Sequence, residues 1–231
     1  LIADELNIAP LQSEFMVWEN ETLEKKINSV KQNYDPTKRK YYLKQVEYID
    51  RRLASLYQYI EEHYKEDEIV VSLFADHGQG YLVKQDEDFL SDERTKIAFM
   101  MRGNDIKGHT REIMSACDYS PIMCKLAGIT YDYTNTDAHL PMAFGGSEER
   151  EFSVTESIHV GDPYQIVLNG KDFRFYLNGK ENVTSECRVP LDEYETRLTD
   201  ANGNVIQDSD KIAYYTKWCL DHVGSCVIYK D

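Results

Sequence analysis

The sequence lacks long hydrophobic runs, paired cysteine motifs and an excess of basic residues. No stretch of about 18 apolar residues, which a membrane-spanning helix needs, occurs in the 231 residues. Five cysteines are an odd number and show no Cys-x-x-Cys spacing, which argues against a disulfide framework and a zinc site. The chain begins with Leu and shows no signal peptide. We therefore expect a fragment whose compartment, cytoplasmic or secreted, depends on upstream sequence.

Acidic residues dominate the charge. The chain has 41 Asp and Glu against 26 Lys and Arg, for a net charge of -15. Such a surface repels phosphate backbones, so nucleic acid is not an expected partner, and the acidity favours solubility. An anionic substrate could bind only where a metal ion or local basic groups reverse the field.

Hydrophobic periodicity predicts an α/β arrangement in the first half of the chain. Apolar residues recur every three or four positions over 39–64, which indicates a helix of about seven turns. The almost wholly apolar runs 69–75 and 96–101 are typical of strands covered on both faces of a parallel sheet. A further helix is predicted over 111–126, with a glycine C-cap at Gly128.

The pattern changes in the last third of the chain. A short strand over 152–156 is followed by a predicted β-hairpin (164–168 and 173–177), a strand (194–199) and an amphipathic helix (211–223). We expect residues 1–159 to belong to a main α/β domain. Residues 160–231 are then expected to form a small antiparallel α+β subdomain.

Asp76, His77 and Gly78 follow the first predicted strand directly. Ligands of open α/β sheets bind beyond the carboxyl ends of the strands, which is where this loop lies. The carboxylate oxygen suits Ca²⁺, Mg²⁺ or Mn²⁺, and the imidazole extends the choice towards Mn²⁺ or Zn²⁺. Considered alone, the tripeptide is more often a turn with a capping Asp than a metal site.

The order of several motifs resembles the sulfatase family of the alkaline-phosphatase superfamily. The resemblance begins with Val46-Glu-Tyr-Ile-Asp50, the apolar strand, Asp76-His77-Gly78 and Glu93-Arg-Thr-Lys-Ile97. It continues with Asp118-Tyr-Ser-Pro121 and Leu126-Ala-Gly128, and more loosely to about residue 220. Ala75, Gln79 and Ala98 depart from residues common in the family.

The resemblance implies the C-terminal part of an alkaline-phosphatase-like sheet flanked by helices. Asp76 and His77 would be the second pair of metal ligands, with Ca²⁺ as the expected cation and Mn²⁺ as the alternative. The first ligand pair and the nucleophile, in a Cys/Ser-x-Pro-Ser-Arg motif, belong to the family's N-terminal half and are not found in this chain. The expected parent is a sulfuric ester hydrolase acting on a small-molecule or carbohydrate sulfate ester, and the chain alone should be inactive.

Two further residues are catalytic candidates. Lys84 could be the sulfate-contacting Lys that the family places after this loop, or an exposed loop charge. His109 could donate a proton to a leaving group, or be an ordinary exposed histidine.

Other functions remain open from the sequence. A related phosphatase, phosphodiesterase or phosphoethanolamine transferase would share the Asp-His pair, and a non-catalytic acidic binding module would use it only as a turn. Uncovered sheet edges and apolar helix faces in a truncated α/β domain also predict self-association.

Overall fold

The computed structural model describes residues 36–83, 88–103, 106–134 and 136–225. The chain divides into two units, Leu1–Gly108 and His109–Asp231. The predicted domain division between residues 159 and 160 stays a prediction. In the described part of the chain, every helix is too short or too polar to cross a membrane.

The first unit begins with a long helix, α1 (Pro36–His63). Pro36 occupies the first helical position, where its fixed φ suits the helix and its missing N–H costs no hydrogen bond. This helix was predicted correctly, but its apolar stripe is not a core face. None of its residues is buried, and Leu43, Val46 and Leu56 are 43%, 43% and 48% exposed.

Two short strands of the first unit pair in an antiparallel sheet, β1 (Val71–Phe74) with β2 (Phe99–Arg102). The prediction of a parallel sheet covered on both faces is therefore wrong for this pair. Leu73, Phe74 and Met100 are 38%, 42% and 56% exposed. An apolar run specifies strand-forming residues, but it does not specify strand direction or what covers the faces.

The second unit starts with a 3₁₀ turn (Ala116–Asp118) that leads into α3 (Tyr119–Leu126). A four-residue helix of the first unit, α2 (Asp92–Thr95), precedes them in the chain. The helix predicted from residue 111 thus begins later, because Ser115 and Asp118 form a capping box that starts a new helical segment. Gly128 closes α3 with a φ of 69°, as expected for a glycine C-cap.

A four-stranded antiparallel sheet forms most of the second unit. Its strands are β3 (Phe152–Ser157), β4 (Pro163–Gly170), β5 (Phe173–Asn182) and β6 (Tyr194–Asp200), and they lie in chain order. The predicted hairpin is confirmed, with β4 and β5 paired through Ile166–Leu177 and Leu168–Phe175. Strands β4, β5 and β6 lie in the region where antiparallel strands were predicted, whereas β3, which was expected to belong to the main α/β domain, pairs with β4 in the same sheet.

The last helix, α4 (Ser209–Ser225), covers one face of this sheet. Asp208 caps it, since its Oδ1 accepts the N–H of Lys211 at 3.0 Å. Tyr215, Cys219 and Val223 are buried at successive turns of α4, and Tyr215 stacks on Phe173 with ring centroids 4.8 Å apart. The hydrophobic core of the chain's described part therefore lies in the second unit.

Candidate functional site

The Asp-His-Gly loop leaves the end of β1. The pairing of the two strands extends one residue further, because the N–H of Ala75 donates to the carbonyl of Ala98 at 3.1 Å. Asp76 and His77 come next, and their side chains are 86% and 63% exposed. The paired strands therefore fix the backbone just before the loop, and the two polar side chains project into solvent.

Hydrogen bonds within the loop orient both side chains. Asp76 Oδ1 accepts the backbone N–H of His77 at 2.9 Å, which leaves Oδ2 outside this bond. His77 Nδ1 lies 2.9 Å from the carbonyl oxygen of Gly78. A carbonyl can only accept, so Nδ1 carries the proton in this contact. In the neutral ring, the lone pair is then on Nε2, as in many metal-binding histidines.

The two remaining donor atoms are arranged as ligands of one cation could be. Asp76 Oδ2 and His77 Nε2 are 3.7 Å apart. Metal–ligand distances of about 2.0–2.6 Å allow both atoms to bind a single ion placed between them. The oxygen donor suits Ca²⁺ or Mn²⁺, and of these two cations the nitrogen donor favours Mn²⁺.

The pair by itself makes only part of a coordination sphere. Within residues 36–225, apart from the short undescribed gaps, no group of three or more His, Cys, Asp or Glu side chains is placed to hold a metal ion. Metal sites usually have four or more ligands, counting water. Further ligands would therefore have to come from outside the described residues.

Gly78 is required by close packing. Its N–H donates to the carbonyl of Arg94 at 3.0 Å. A Cβ atom at this position would lie 1.8 Å from the carbonyl oxygen of Glu93, well inside van der Waals contact. The glycine after the ligand pair thus allows the loop to approach α2 directly.

The remaining candidate residues are not brought to this loop by any described contact. Lys84 lies outside the described residues. His109 is exposed at the start of the second unit, whereas Asp76 and His77 belong to the first. Lys96, which follows α2, is not one of these candidates: its Nζ lies 2.6 Å from Asp92 Oδ2, one helical turn earlier, in an exposed ion pair.

The family assignment rests on the match between this sequence and the sulfatase family model. That model matches residues 8–129, which is more than half of the chain and includes Asp76, His77 and α2. The chain belongs to the sulfatase family. No curated protein matches its sequence.

Two solved structures show the same fold. One is a protein in complex with its substrate, D-glucosamine-2-N,6-O-disulfate; it is 15% identical, with a TM-score of 0.57 over 90% of this chain and 43% of its own length. The other is a putative sulfatase from Bacteroides thetaiotaomicron, 18% identical, with a TM-score of 0.57 over 90% of this chain and 44% of its own length. The chain thus spans less than half the length of these structures, and the predicted α/β fold class is confirmed.

Sequence reasoning missed two polar clusters in the second unit. Asp118, 1% exposed, accepts a hydrogen bond from the Arg150 guanidinium at 2.5 Å and from the backbone N–H of His139 at 2.7 Å. Glu156 accepts a hydrogen bond from the Tyr164 hydroxyl. Its Oε2 also lies 3.3 Å from Nε2 of His222. These partners are 8 to 66 residues apart in sequence, so no local motif could have revealed them.

Proposed function

We propose that this chain is the C-terminal portion of a metal-dependent sulfuric ester hydrolase and that Asp76 and His77 supply one of its two ligand pairs. The observation that carries the proposal is the convergence of Asp76 Oδ2 and His77 Nε2, 3.7 Å apart at the end of β1, in a member of the sulfatase family. Ca²⁺ is the proposed cation because the family resemblance implies it and the Asp76 oxygen suits it, and Mn²⁺ is the alternative because the imidazole of His77 extends the choice towards it.

The two residues have separable tasks. Asp76 contributes negative charge and one oxygen donor, while its other oxygen is held by the backbone of His77. His77 contributes a neutral nitrogen donor, whose direction is set by the bond from Nδ1 to Gly78. The chemistry that a cation supplies at such a site is polarisation of the sulfate oxygens and stabilisation of charge as the S–O bond breaks.

The acidic chain makes a cation useful for binding as well as for chemistry. With a net charge of -15, the surface repels a sulfate ester unless positive charge is concentrated at the site. We include Lys84 and His109 in the proposal as candidate groups for contacting the sulfate and for protonating the leaving group. The substrate class is a small-molecule or carbohydrate sulfate ester, as is the substrate of the first similar structure.

The chain alone should not turn over substrate. Two cysteines of the described residues are exposed, and neither fits the nucleophile motif of the family: Cys117 is followed by Asp-Tyr-Ser-Pro and Cys187 by Arg-Val-Pro-Leu. Incubation of the 231-residue chain with an aryl sulfate, after loading with Ca²⁺ or Mn²⁺, should release no sulfate. Clear turnover that survives removal of contaminating enzyme would contradict the proposal.

In the full-length parent, the ligand pair can be tested directly. Asp76→Ala and His77→Ala should each reduce sulfatase activity by more than about 100-fold, since even groups that only support metal ligands cost 10–100-fold when removed. Parallel assays with aryl phosphate and a phosphodiester decide between sulfate and phosphate chemistry. Faster hydrolysis of a phosphate ester would show that the parent is a phosphoryl-transfer enzyme of the same superfamily.

The apolar surface of the first unit supports the proposed self-association of this chain. The exposed apolar side chains of α1 and the paired strands β1 and β2, which include Ile49 (44% exposed) and Leu56 (48%), can bury area against a second copy. Sedimentation should show association that increases with concentration and weakens in an Ile49→Glu, Leu56→Glu double variant. Monomeric behaviour at all concentrations would rule it out.

A further inference from the structure

The Asp-His-Gly loop is attached to α2 on both sides of its turn. On the near side, Gly78 donates its N–H to the carbonyl of Arg94 at 3.0 Å. On the far side, the backbone N–H of Leu82 donates to the Glu93 carboxylate, at 3.3 Å from Oε2. Two consecutive residues of the four-residue helix α2, Glu93 and Arg94, therefore accept hydrogen bonds from both ends of the loop.

Close packing leaves the loop little freedom between these two bonds. Gly80 is buried, and a Cβ at this position would lie 2.6 Å from the Nε atom of Arg94. The guanidinium of Arg94 in turn lies over the ring of Phe89, 4.2 Å from its centroid. The side chain that fills the inside of the loop is thus itself fixed by a neighbouring ring.

Glu93 contributes a side-chain hydrogen bond to this arrangement. Glu93 is partly buried, and its carboxylate accepts the backbone N–H of Leu82. Without this hydrogen bond, the segment from Gly80 to Leu82 would lose an attachment to α2. The backbone that connects this segment to His77 would be unchanged. The consequence would be a wider range of positions for the two donor atoms.

We propose that Glu93 is a positioning residue for the Asp76–His77 pair, which holds the loop so that the two donors converge on one cation. This inference rests on the proposed function, because it assumes that the pair binds metal. Its physical basis is preorganisation: a ligand pair that is already fixed loses less conformational freedom when the ion binds. Supporting partners of metal ligands have effects of this kind.

The test compares four variants in the full-length protein: Glu93→Ala, Glu93→Gln, Lys96→Ala and Asp76→Ala. Calorimetric titration of the metal-free protein with Ca²⁺, and separately with Mn²⁺, gives the affinity. Thermal unfolding with and without cation gives the stability of each form. Lys96→Ala is the matched control, because Lys96 follows α2 directly and pairs with Asp92 on the exposed surface.

The proposal predicts that Glu93→Ala weakens cation affinity about 10-fold, whereas Lys96→Ala leaves it unchanged. Glu93→Gln should retain most of the affinity, since its amide oxygen can accept the same bond from Leu82. The activity lost in Glu93→Ala should return when the cation concentration is raised. A merely structural Glu93 would lower the thermal midpoint equally with and without cation and leave the affinity as it was.

Gly78→Ala provides a second route to the same question. Its Cβ would meet the Glu93 carbonyl and push the loop away from α2, so affinity should fall about 100-fold. Gly224→Ala, at a helical glycine with nothing within 4 Å of the added Cβ, is the control for the substitution itself.

The outcomes separate the two proposals. If Asp76→Ala abolishes binding while Glu93→Ala binds the cation as tightly as the unmodified protein, the positioning role is overturned and the metal site stands. If Asp76→Ala also binds normally, the proposed function fails and the positioning role fails with it. Affinity loss in Glu93→Ala together with rescue in Glu93→Gln supports both.

Discussion

In the second unit, α4 and the four-stranded sheet enclose a continuous core in which Tyr164, Ile166, Leu168, Phe175 and Leu177 are fully buried. In the first unit, the long amphipathic helix and the two strands leave most of their apolar side chains partly exposed, and Val83 and Leu90 are its buried hydrophobic residues among those described. The proposed ligand pair, Asp76 and His77, lies in the first unit. The region that carries the candidate chemistry is therefore the one with the smaller core, and its loop geometry depends on local bonds.

The largest expected effect is a difference in stability loss when one leucine side chain is truncated in each unit. Leu198→Ala, at a residue 1% exposed, should destabilise the sheet by about 2–5 kcal/mol, because it leaves a cavity. Leu56→Ala, at a residue 48% exposed, should change stability by less than about 0.5 kcal/mol. Chemical denaturation measures the stability loss of each variant, and hydrogen exchange of the β4 and β5 amides reports on the sheet that contains Leu198.

Equal losses of stability in these two leucine variants would contradict the inference that the first unit has the smaller core. Such a result would mean that α1 packs in solution as tightly as the sheet does. A loss at Leu56 that appears only at high protein concentration would instead indicate that its face is covered by another copy.

A smaller effect is expected from pH in the second unit. Burial raises the pKa of Glu156, but the hydrogen bonds from His222 and Tyr164 together hold it below its usual value. The hydrogen bond to Glu156 raises the pKa of His222 against the opposite effect of burial, with Asp137 adding to the rise. Cys219, whose pKa burial raises to about 12, stays protonated beside them.

The directions of these two pKa shifts define the pH range in which the Glu156–His222 pair stabilises the folded state most. The lowered pKa of Glu156 makes its contribution full above the unfolded value of about 4.3, and the contribution is lost as pH falls through the folded pKa. The raised pKa of His222 makes its contribution full below about 6.5, and that contribution is lost as pH rises through the folded pKa. Stabilisation by the pair should therefore be greatest between about pH 4.3 and 6.5.

Denaturation of the His222→Gln variant across this pH range tests the window. The variant should lose about 1.5 kcal/mol of stability inside this window and less at pH 8. A loss that is constant from pH 5 to pH 8 would show that His222 acts through packing on Trp218, whose ring it stacks on at 5.0 Å.

The sequence predicted the parts of the fold that local chemistry determines. The helix that begins at Pro36, the pairing of β4 with β5, and the last helix follow from periodicity and turn residues, although the turn expected at Asn169-Gly170 lies two residues later. Strand direction and burial in the first unit could not be predicted, because the same apolar run suits a parallel or an antiparallel neighbour. The start of α3 was missed because the Ser115–Asp118 capping box interrupts an otherwise helical pattern.

In the candidate site too, local sequence predicted some features, whereas others depend on contacts between residues distant in sequence. Asp76 and His77 were identified from their place after a strand and from the order of the surrounding motifs. The role proposed for Glu93 could not be identified from the sequence, because it depends on a hydrogen bond to Leu82, 11 residues away. Spacing in sequence locates the donors, whereas three-dimensional contacts identify what holds them.

The most direct test of the central claim is titration of the metal-free full-length protein with Ca²⁺, comparing the unmodified protein with Asp76→Ala and His77→Ala. The account predicts binding of the cation by the unmodified protein and an affinity at least about 100-fold lower in each variant. It is contradicted if both variants bind Ca²⁺ and Mn²⁺ as tightly as the unmodified protein, since Asp76 and His77 would then form only a turn.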